Sequence, residues 1–222
     1  MCPRIQRPSL PESRTLRLAM ASEIQEIAER IAALASRRIP LFVGLDGGAG
    51  AGKTTFANAL AKRLRASGLP VSVVKTDLFF RPTSERWPGS ADDMPIGHDL
   101  DWERVRDEVI TPLREGRGAR FQLYDWEKDG PGAWQEIEPI GVVIIDGVFS
   151  LRNELAGLYD LRIWLRCPRA TRVSRLLGRG DTPQDEIDAW LPVEDRYLKA
   201  HKPENAADLV IDSTAQDPDA LR

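Results

Sequence analysis

Cysteine is nearly missing from this chain. Its 222 residues hold only Cys2 and Cys167, which lie far apart, match no metal-ligand spacing and suit a reducing cytosol. Cys167 closes an apolar run and reads as a buried thiol. Histidine is as scarce: His98 and His201 stand isolated, and a metal or acid–base role is open to His98 inside the long loop, a surface or structural place being the plainer reading for both. No apolar stretch approaches the roughly 20 residues of a membrane span. Acidic and basic residues nearly balance, at a formal net charge of −3, so no global basic field invites nucleic acid. The Asn-Lys-x-Asp string with which a GTPase switch reads guanine is missing, as are internal repeats and low-complexity tracts. The first nineteen residues set Arg4, Arg7, Arg14 and Arg17 against Glu12, with three prolines and without the apolar centre of a secretory signal, so a flexible tail is expected, with an organelle-targeting peptide as the alternative. The expected location is cytoplasmic.

The chain does carry a glycine-rich loop with the right flanks. The apolar run Leu41-Phe42-Val43-Gly44-Leu45-Asp46 leads into Gly47-Gly48-Ala49-Gly50-Ala51-Gly52-Lys53-Thr54, and a helix-forming stretch from Thr55 to Arg65 follows. This fits G-x-x-x-x-G-K-[ST] between a strand and a helix. Glycine lets the backbone wrap closely around a polyphosphate with successive N–H groups pointing inward. The following helix aims its positive end at the same anion. Lys53 is expected to reach the β- and γ-phosphates and the Thr54 hydroxyl to bind Mg²⁺. Residues Gly47 to Thr55 are therefore the expected nucleoside triphosphate site.

The period of Ile24, Ile27, Ile31 and Leu34 predicts a helix from Ser22 to Arg38, capped by Ser22. Further strands are expected over 71–76, 141–146, 161–165 and 208–211, and further helices over 101–114, 169–177 and 185–199. Strands alternating with helices argue for an α/β fold whose parallel sheet is covered on both faces. Ligands of such sheets bind beyond the C-terminal strand ends, where the phosphate loop, Asp77 and Asp146 all fall. Residues 81–99, rich in Pro, Gly and Asp, form a connection long enough to carry function. The expected plan is a tail over 1–19, a single domain over 20–214 and a C-terminal tail over 215–222.

Phosphoryl transfer needs alignment of donor and acceptor, neutralised charge and a proton acceptor. Asp77 is placed to hold or deprotonate an acceptor hydroxyl; a turn cap is the plainer alternative. Asp146, before Gly147, ends a strand where phosphate-loop proteins keep a carboxylate near Mg²⁺. Arg172, Arg175 and Arg179 recur at helical spacing and share one face, and Gly178, Gly180 and Asp181-Thr182-Pro183 break the helix beyond them. A hinged, arginine-bearing tip suits a lid over the triphosphate, against the alternative of a solvated basic face. Tyr124 and Trp126 offer flat faces to an aromatic substrate ring, unless they serve the core.

Taken in order, these motifs resemble the uridine kinase and phosphoribulokinase branch of phosphate-loop kinases, the uridine kinase side more closely. The resemblance runs from Gly47 to Thr55 through Lys75-Thr76-Asp77-Leu78-Phe79-Phe80, Asp101-Trp102 and Pro112 to Gly116. It continues through Tyr124-Asp125-Trp126, Val143 to Val148, the arginine helix and Ala207 to Ile211, and so spans about residues 39–212. It implies a phosphate-loop NTPase three-layer fold: a five-stranded parallel sheet flanked by helices, with a small β extension that residues 118–138 are placed to supply. The implied reaction is phosphorylation of a nucleoside 5′-hydroxyl, uridine or cytidine, with ATP and Mg²⁺. Asp77 is then the catalytic carboxylate beside Lys53, and Asp146 stands near the metal. Arg175 and Arg179 belong to the lid. Tyr124 lines a base pocket, with Phe80, His98 and Trp126 as further candidate substrate contacts.

The chain departs from that family at several positions. Asp146 stands where glutamate is usual, Phe80 replaces a tyrosine, and Leu176 and Gly180 interrupt the lid's paired charges. A phosphosugar, pantothenate or another hydroxylated metabolite is the alternative acceptor. A nucleotide-binding regulatory protein without efficient transfer is the alternative from another class. The expected partner is a small-molecule substrate, with neither nucleic acid nor membrane, and self-association into a homo-oligomer is compatible.

Overall fold

Alternating side chains along the strands decide which helices cover which face of the sheet. The computed structural model describes residues 12–90, 92–180 and 182–214. Five strands pair in parallel: β1 (Leu41–Gly47), β2 (Val71–Lys75), β5 (Val142–Asp146), β6 (Leu161–Arg166) and β7 (Leu209–Asp212), in the order β2-β5-β1-β6-β7. Every residue of β1 and β5 is buried, as in a strand covered on both sides. Leu41, Val43, Leu45, Val142 and Ile144 pack on one face against α1 (Glu12–Ala35) and α2 (Lys53–Ala66). The intervening Phe42, Val143 and Ile145 face α3 (Trp102–Arg104), the π-helical segment Val105–Ile110 and α4 (Thr111–Arg114). That is the period of two that a pleated strand imposes. Gly44 belongs to the second face, where a Cβ would lie 2.6 Å from Cδ2 of Tyr159, so the ring packs directly on the β1 backbone.

The remaining helices are α5 (Asn153–Ala156), α6 (Arg169–Arg179), α7 (Gln184–His201) and α8 (Pro203–Ala206). Outside the main sheet, β3 (Ala119–Asp125) and β4 (Gly130–Ile137) form an antiparallel hairpin, the small extension expected within 118–138. The helix expected over 101–114 is present as the run α3, π segment and α4, with the Asp101 side chain accepting the Arg104 amide.

Two expectations are corrected. The first helix begins at Glu12 rather than Ser22, so residues 12–19 of the expected tail are helical. Leu16, Leu18, Ala19 and Ala21 are good helix formers that extend the run upstream, a propensity the arginine-rich composition concealed. The helix ends at Ala35 rather than Arg38, ahead of Pro40, whose ring disfavours helical geometry in the residue before it. Cys167 is half-buried at the end of β6 rather than enclosed. Cys2 and the C-terminal tail over 215–222 lie outside the described residues.

Candidate active site

Strands β1, β2 and β5 end side by side, since Leu45 and Lys75 are both in register with Asp146. Each strand delivers a polar group at or just past its end: Asp146 closes β5, Asp77 follows β2, and Lys53 and Thr54 follow the loop after β1. After β1 the chain turns through Gly52, at φ 90, into α2; that left-handed conformation suits glycine. The Lys53 ammonium folds back onto the loop, donating to the carbonyls of Gly47 at 2.8 Å and Gly48 at 3.2 Å. The Thr54 hydroxyl donates to Oδ2 of Asp146 at 3.1 Å. Asp77 stands exposed on the single 3-10 turn Thr76–Leu78 that follows β2.

Asp146 is 2% exposed and its Oδ1 is buried without a partner. Burial pushes its carboxyl up to about 6; the charge of Asp77 adds to that, and Lys53 opposes it. Lys53, Thr54, Asp77 and Asp146 thus lie together at one edge of the sheet. A hydroxyl beside a carboxylate with an unsatisfied oxygen is a hard-oxygen pair that fits Mg²⁺. Among the described residues no cluster of three or more His, Cys, Asp or Glu gathers to hold a metal. Mg²⁺ needs none, because it takes most of its shell from water and phosphate.

The arginine helix does something other than the sequence suggested. Arg172 is buried in an ion pair with Glu194 of α7, and its Nη1 also donates to the Ala49 carbonyl at 3.0 Å. Arg175 donates to the carbonyls of Ser213 at 2.9 Å and Thr214 at 3.0 Å, with a longer reach to Gly50. Arg179 alone of the three is exposed, one residue before Gly180, which closes α6 at φ 69.

Three side chains of α7 reach the phosphate loop and its surroundings without having been singled out from the sequence. Glu194, with no exposure, accepts the Ala49 amide at 2.6 Å, so the buried pair holds both backbone groups of that loop residue. One turn along α7, the Tyr197 hydroxyl donates to Asp46 at 2.6 Å. Asp46 is fully buried and also accepts the amides of Gly47 at 2.6 Å and Leu151 at 2.8 Å. Burial pushes the Asp46 carboxyl up to about 6, against the hydrogen bonds from Tyr197, Leu151 and Gly47 and the charge of Lys53. A third contact, from Arg196 to the Met94 carbonyl at 2.7 Å, ties α7 to the long 81–99 loop. The three-residue spacing of Glu194 and Tyr197 is the only trace of this in the sequence.

Between the segment after β2 and the β3–β4 hairpin, Phe80, Tyr124 and Trp126 converge. Ring centres are 5.0 Å apart for Phe80 and Trp126, 4.8 Å for Tyr124 and Trp126, and 6.4 Å for Phe80 and Tyr124. Trp190 of α7 adds a fourth ring, 6.4 Å from Phe80. A cleft of about 460 Å³ opens beside this box, lined by Phe80, Arg81, Asp101, Arg104, Tyr124 and Trp134 among others. His98 does not join it: its ring meets Trp87 edge-on at 5.7 Å and bonds Asp99 at 3.2 Å.

A parallel sheet with a phosphate loop after its first strand, and carboxylates at two neighbouring strand ends, defines a phosphotransferase of the phosphate-loop kinase class. A family model described as AAA domain matches residues 43–195. A uridine kinase from Halobacterium salinarum is 30% identical over 173 residues, covering 74% of this chain and 73% of that protein. The solved structure of a possible uridine kinase from Bacillus stearothermophilus superposes with a TM-score of 0.64 at 25% identity, over 84% of this chain and all of that one. A Silicibacter protein described as a candidate fructose transport system kinase gives 0.63 at 26% identity, over 84% of this chain and 98% of its own. The chain belongs to the uridine kinase-like family of phosphate-loop kinases. Among the described residues, no helix is long and apolar enough to cross a membrane.

Proposed function

We propose that this kinase transfers the γ-phosphoryl group of ATP, with Mg²⁺, to the 5′-hydroxyl of a nucleoside, uridine or cytidine. The observation that carries the reading is the box of Phe80, Tyr124 and Trp126, which begins three residues after Asp77. A ring packed on the exposed side of Trp126, at the edge of this box, sits beyond a ribose whose 5′-hydroxyl meets the Asp77 carboxylate. The likeness to uridine kinases supports the same acceptor.

In this reading Asp77 accepts the hydroxyl proton as the acceptor oxygen bonds to the γ-phosphorus. The bond from that phosphorus to the β–γ bridging oxygen breaks, and ADP departs with the electron pair. The amides of residues 47–55 and the Lys53 ammonium hold the triphosphate. Thr54 and Asp146 hold Mg²⁺, which supplies charge neutralisation at the phosphate oxygens. Arg179, exposed beside its glycine hinge, closes over the transferred group. Arg175, bonded to backbone carbonyls, steadies the loop on its outer side.

The test is Mg²⁺-dependent ADP release across uridine, cytidine, other nucleosides, pantothenate, fructose and ribulose 5-phosphate, with Lys53→Ala as the blank. Stimulation by uridine or cytidine is expected. Stimulation by a sugar or acid alone moves the acceptor to another hydroxylated metabolite, the direction in which the Silicibacter likeness points. ATP binding without any acceptor-dependent release indicates a regulatory protein.

A further inference from the structure

Helix α7 stands between the phosphate loop and the 81–99 loop. Its residues Glu194 and Tyr197 lie on one side of the helix, whereas Arg196 lies about 200° round the axis from Glu194. The first side holds the phosphate loop. Glu194 accepts the Ala49 amide, its ion-pair partner Arg172 donates to the Ala49 carbonyl, and Ala49 packs against Leu176, Ile187 and Leu191. Tyr197 donates to Asp46, the residue before the loop.

The other side holds the 81–99 loop. Arg196, half-buried, donates from Nη1 to the Asp92 carbonyl and from Nη2 to the Met94 carbonyl at 2.7 Å. A planar guanidinium fork fixes two carbonyls at once, which a single ammonium does less firmly. Met94 packs with Val193 and Tyr197 of α7 and with Val148 and Phe149, the continuation of β5. From there the chain returns to the strand ends. Leu100 bridges to Phe80, the Arg81 amide donates to the Asp99 carbonyl at 2.8 Å, and the Asp101 amide donates to the Phe79 carbonyl at 2.7 Å. Phe79, Phe80 and Arg81 are the continuation of the turn that carries Asp77.

Both sets of contacts leave α7 within one helical turn. A triphosphate held by the amides of residues 47–55 orders that loop. A ligand that orders one segment lowers the entropic cost of ordering any segment bonded to it, so a second ligand binds more tightly. We propose that α7 couples the nucleotide and acceptor sites in this way, with Arg196 as a positioning residue that touches neither substrate. Glu194 and Tyr197 take up the order imposed on the phosphate loop, and Arg196 passes it to Asp92 and Met94. Nucleotide and acceptor then bind with positive cooperativity, and by linkage each tightens the other by the same factor. The inference rests on the reading that the acceptor meets Asp77 beside Phe80, and it holds for any hydroxylated acceptor, nucleoside or not.

The experiment measures by calorimetry the Kd of a non-hydrolysable ATP analogue with Mg²⁺, alone and with saturating uridine, or with the panel member that stimulates ADP release in its place. Wild type, Arg196→Met and Arg196→Lys are compared, with thermal melting for each; methionine keeps a packed stem and loses both donors. In the wild type the acceptor should tighten the analogue about fivefold or more. Arg196→Met should bring that factor close to one while the Kd of the analogue alone stays near the wild-type value. Arg196→Lys should fall between the two. A factor near one in the wild type overturns the inference even if neither variant folds. So does an undiminished factor in Arg196→Met with only a lowered melting temperature, the result of a tie that merely fastens the loop. Amide hydrogen exchange needs no acceptor: the analogue alone should slow exchange at residues 92–100 in the wild type and not in Arg196→Met. Equal exchange with and without the analogue in the wild type overturns the inference too. Coupling seen with fructose or pantothenate and never with a nucleoside keeps the inference and removes the nucleoside reading, which separates the two failures.

Discussion

The Glu194 carboxylate accepts the Ala49 amide at 2.6 Å across 145 residues of chain, and Arg172, its buried partner, donates to the carbonyl of the same Ala49. The phosphate loop is therefore gripped by α6 and α7. A glycine at position 48 is required by the same contact, because a Cβ there would lie 2.2 Å from Arg172 Nη1. Through Glu194, Tyr197 and Arg196, one helix touches the phosphate loop, the residue before it and the 81–99 loop.

Glu194→Ala leaves Arg172, 5% exposed, with a buried and unpaired charge. A loss of about 3–5 kcal/mol is expected in urea denaturation. Replacing both partners, as Arg172→Met with Glu194→Leu, should recover only part of that loss, because the Ala49 amide and carbonyl lose their partners as well. A cost below about 1 kcal/mol for the single change contradicts a buried, coupled pair.

Asp77→Asn should lower kcat by about 10²–10⁴-fold, the usual contribution of a positioned general base, while the affinity for ATP stays close to that of the wild type. Acceptor-dependent ADP release and titration with a fluorescent ATP analogue check the two halves. Undiminished transfer removes Asp77 from its role.

Gly147 is pressed against the end of β2. A Cβ there would lie 1.7 Å from Oγ1 of Thr76, which is buried directly before Asp77. Gly147→Ala should destabilise the fold by about 1–3 kcal/mol and depress turnover by shifting Asp77 against Asp146. Wild-type melting and turnover in this variant would show that the two strand ends are not in contact.

Asp46 gives a signed pH dependence. Burial raises its folded carboxyl from the ordinary 3.8 to about 6, so between those values the folded chain binds more protons than the unfolded one. Stability contributed by this group is present below that window and is lost as pH rises through it. Relative to Asp46→Asn, the wild type should lose up to about 3 kcal/mol between about pH 4 and about pH 7. Denaturation of both proteins across that range checks it, and a pH-independent difference contradicts it.

The strands, the phosphate loop and the pair Asp77 and Asp146 were legible because each depends on local pattern: apolar runs, glycine spacing and a polar residue at a strand end. What stayed hidden depends on tertiary partners. Helical spacing put Arg172 and Arg175 on one face but gave no sign that it packs on the loop's backbone rather than over its ligand. Asp46 shows in the sequence only as the end of the run ahead of the phosphate loop, until Tyr197 and Leu151 arrive from distant segments. His98, a candidate substrate contact, turns toward Trp87 and Asp99, while Arg86 of the same loop enters the aromatic box.

The most direct test of the whole account is to follow the γ-phosphoryl group itself. ATP labelled in that group, incubated with the protein, Mg²⁺ and either uridine or cytidine, should place the label in the nucleoside 5′-monophosphate, identified by mass and phosphorus NMR. Lys53→Ala and Asp77→Asn should leave that product at or near background. Label found only in inorganic phosphate, or carried by a sugar or acid and never by a nucleoside, contradicts it.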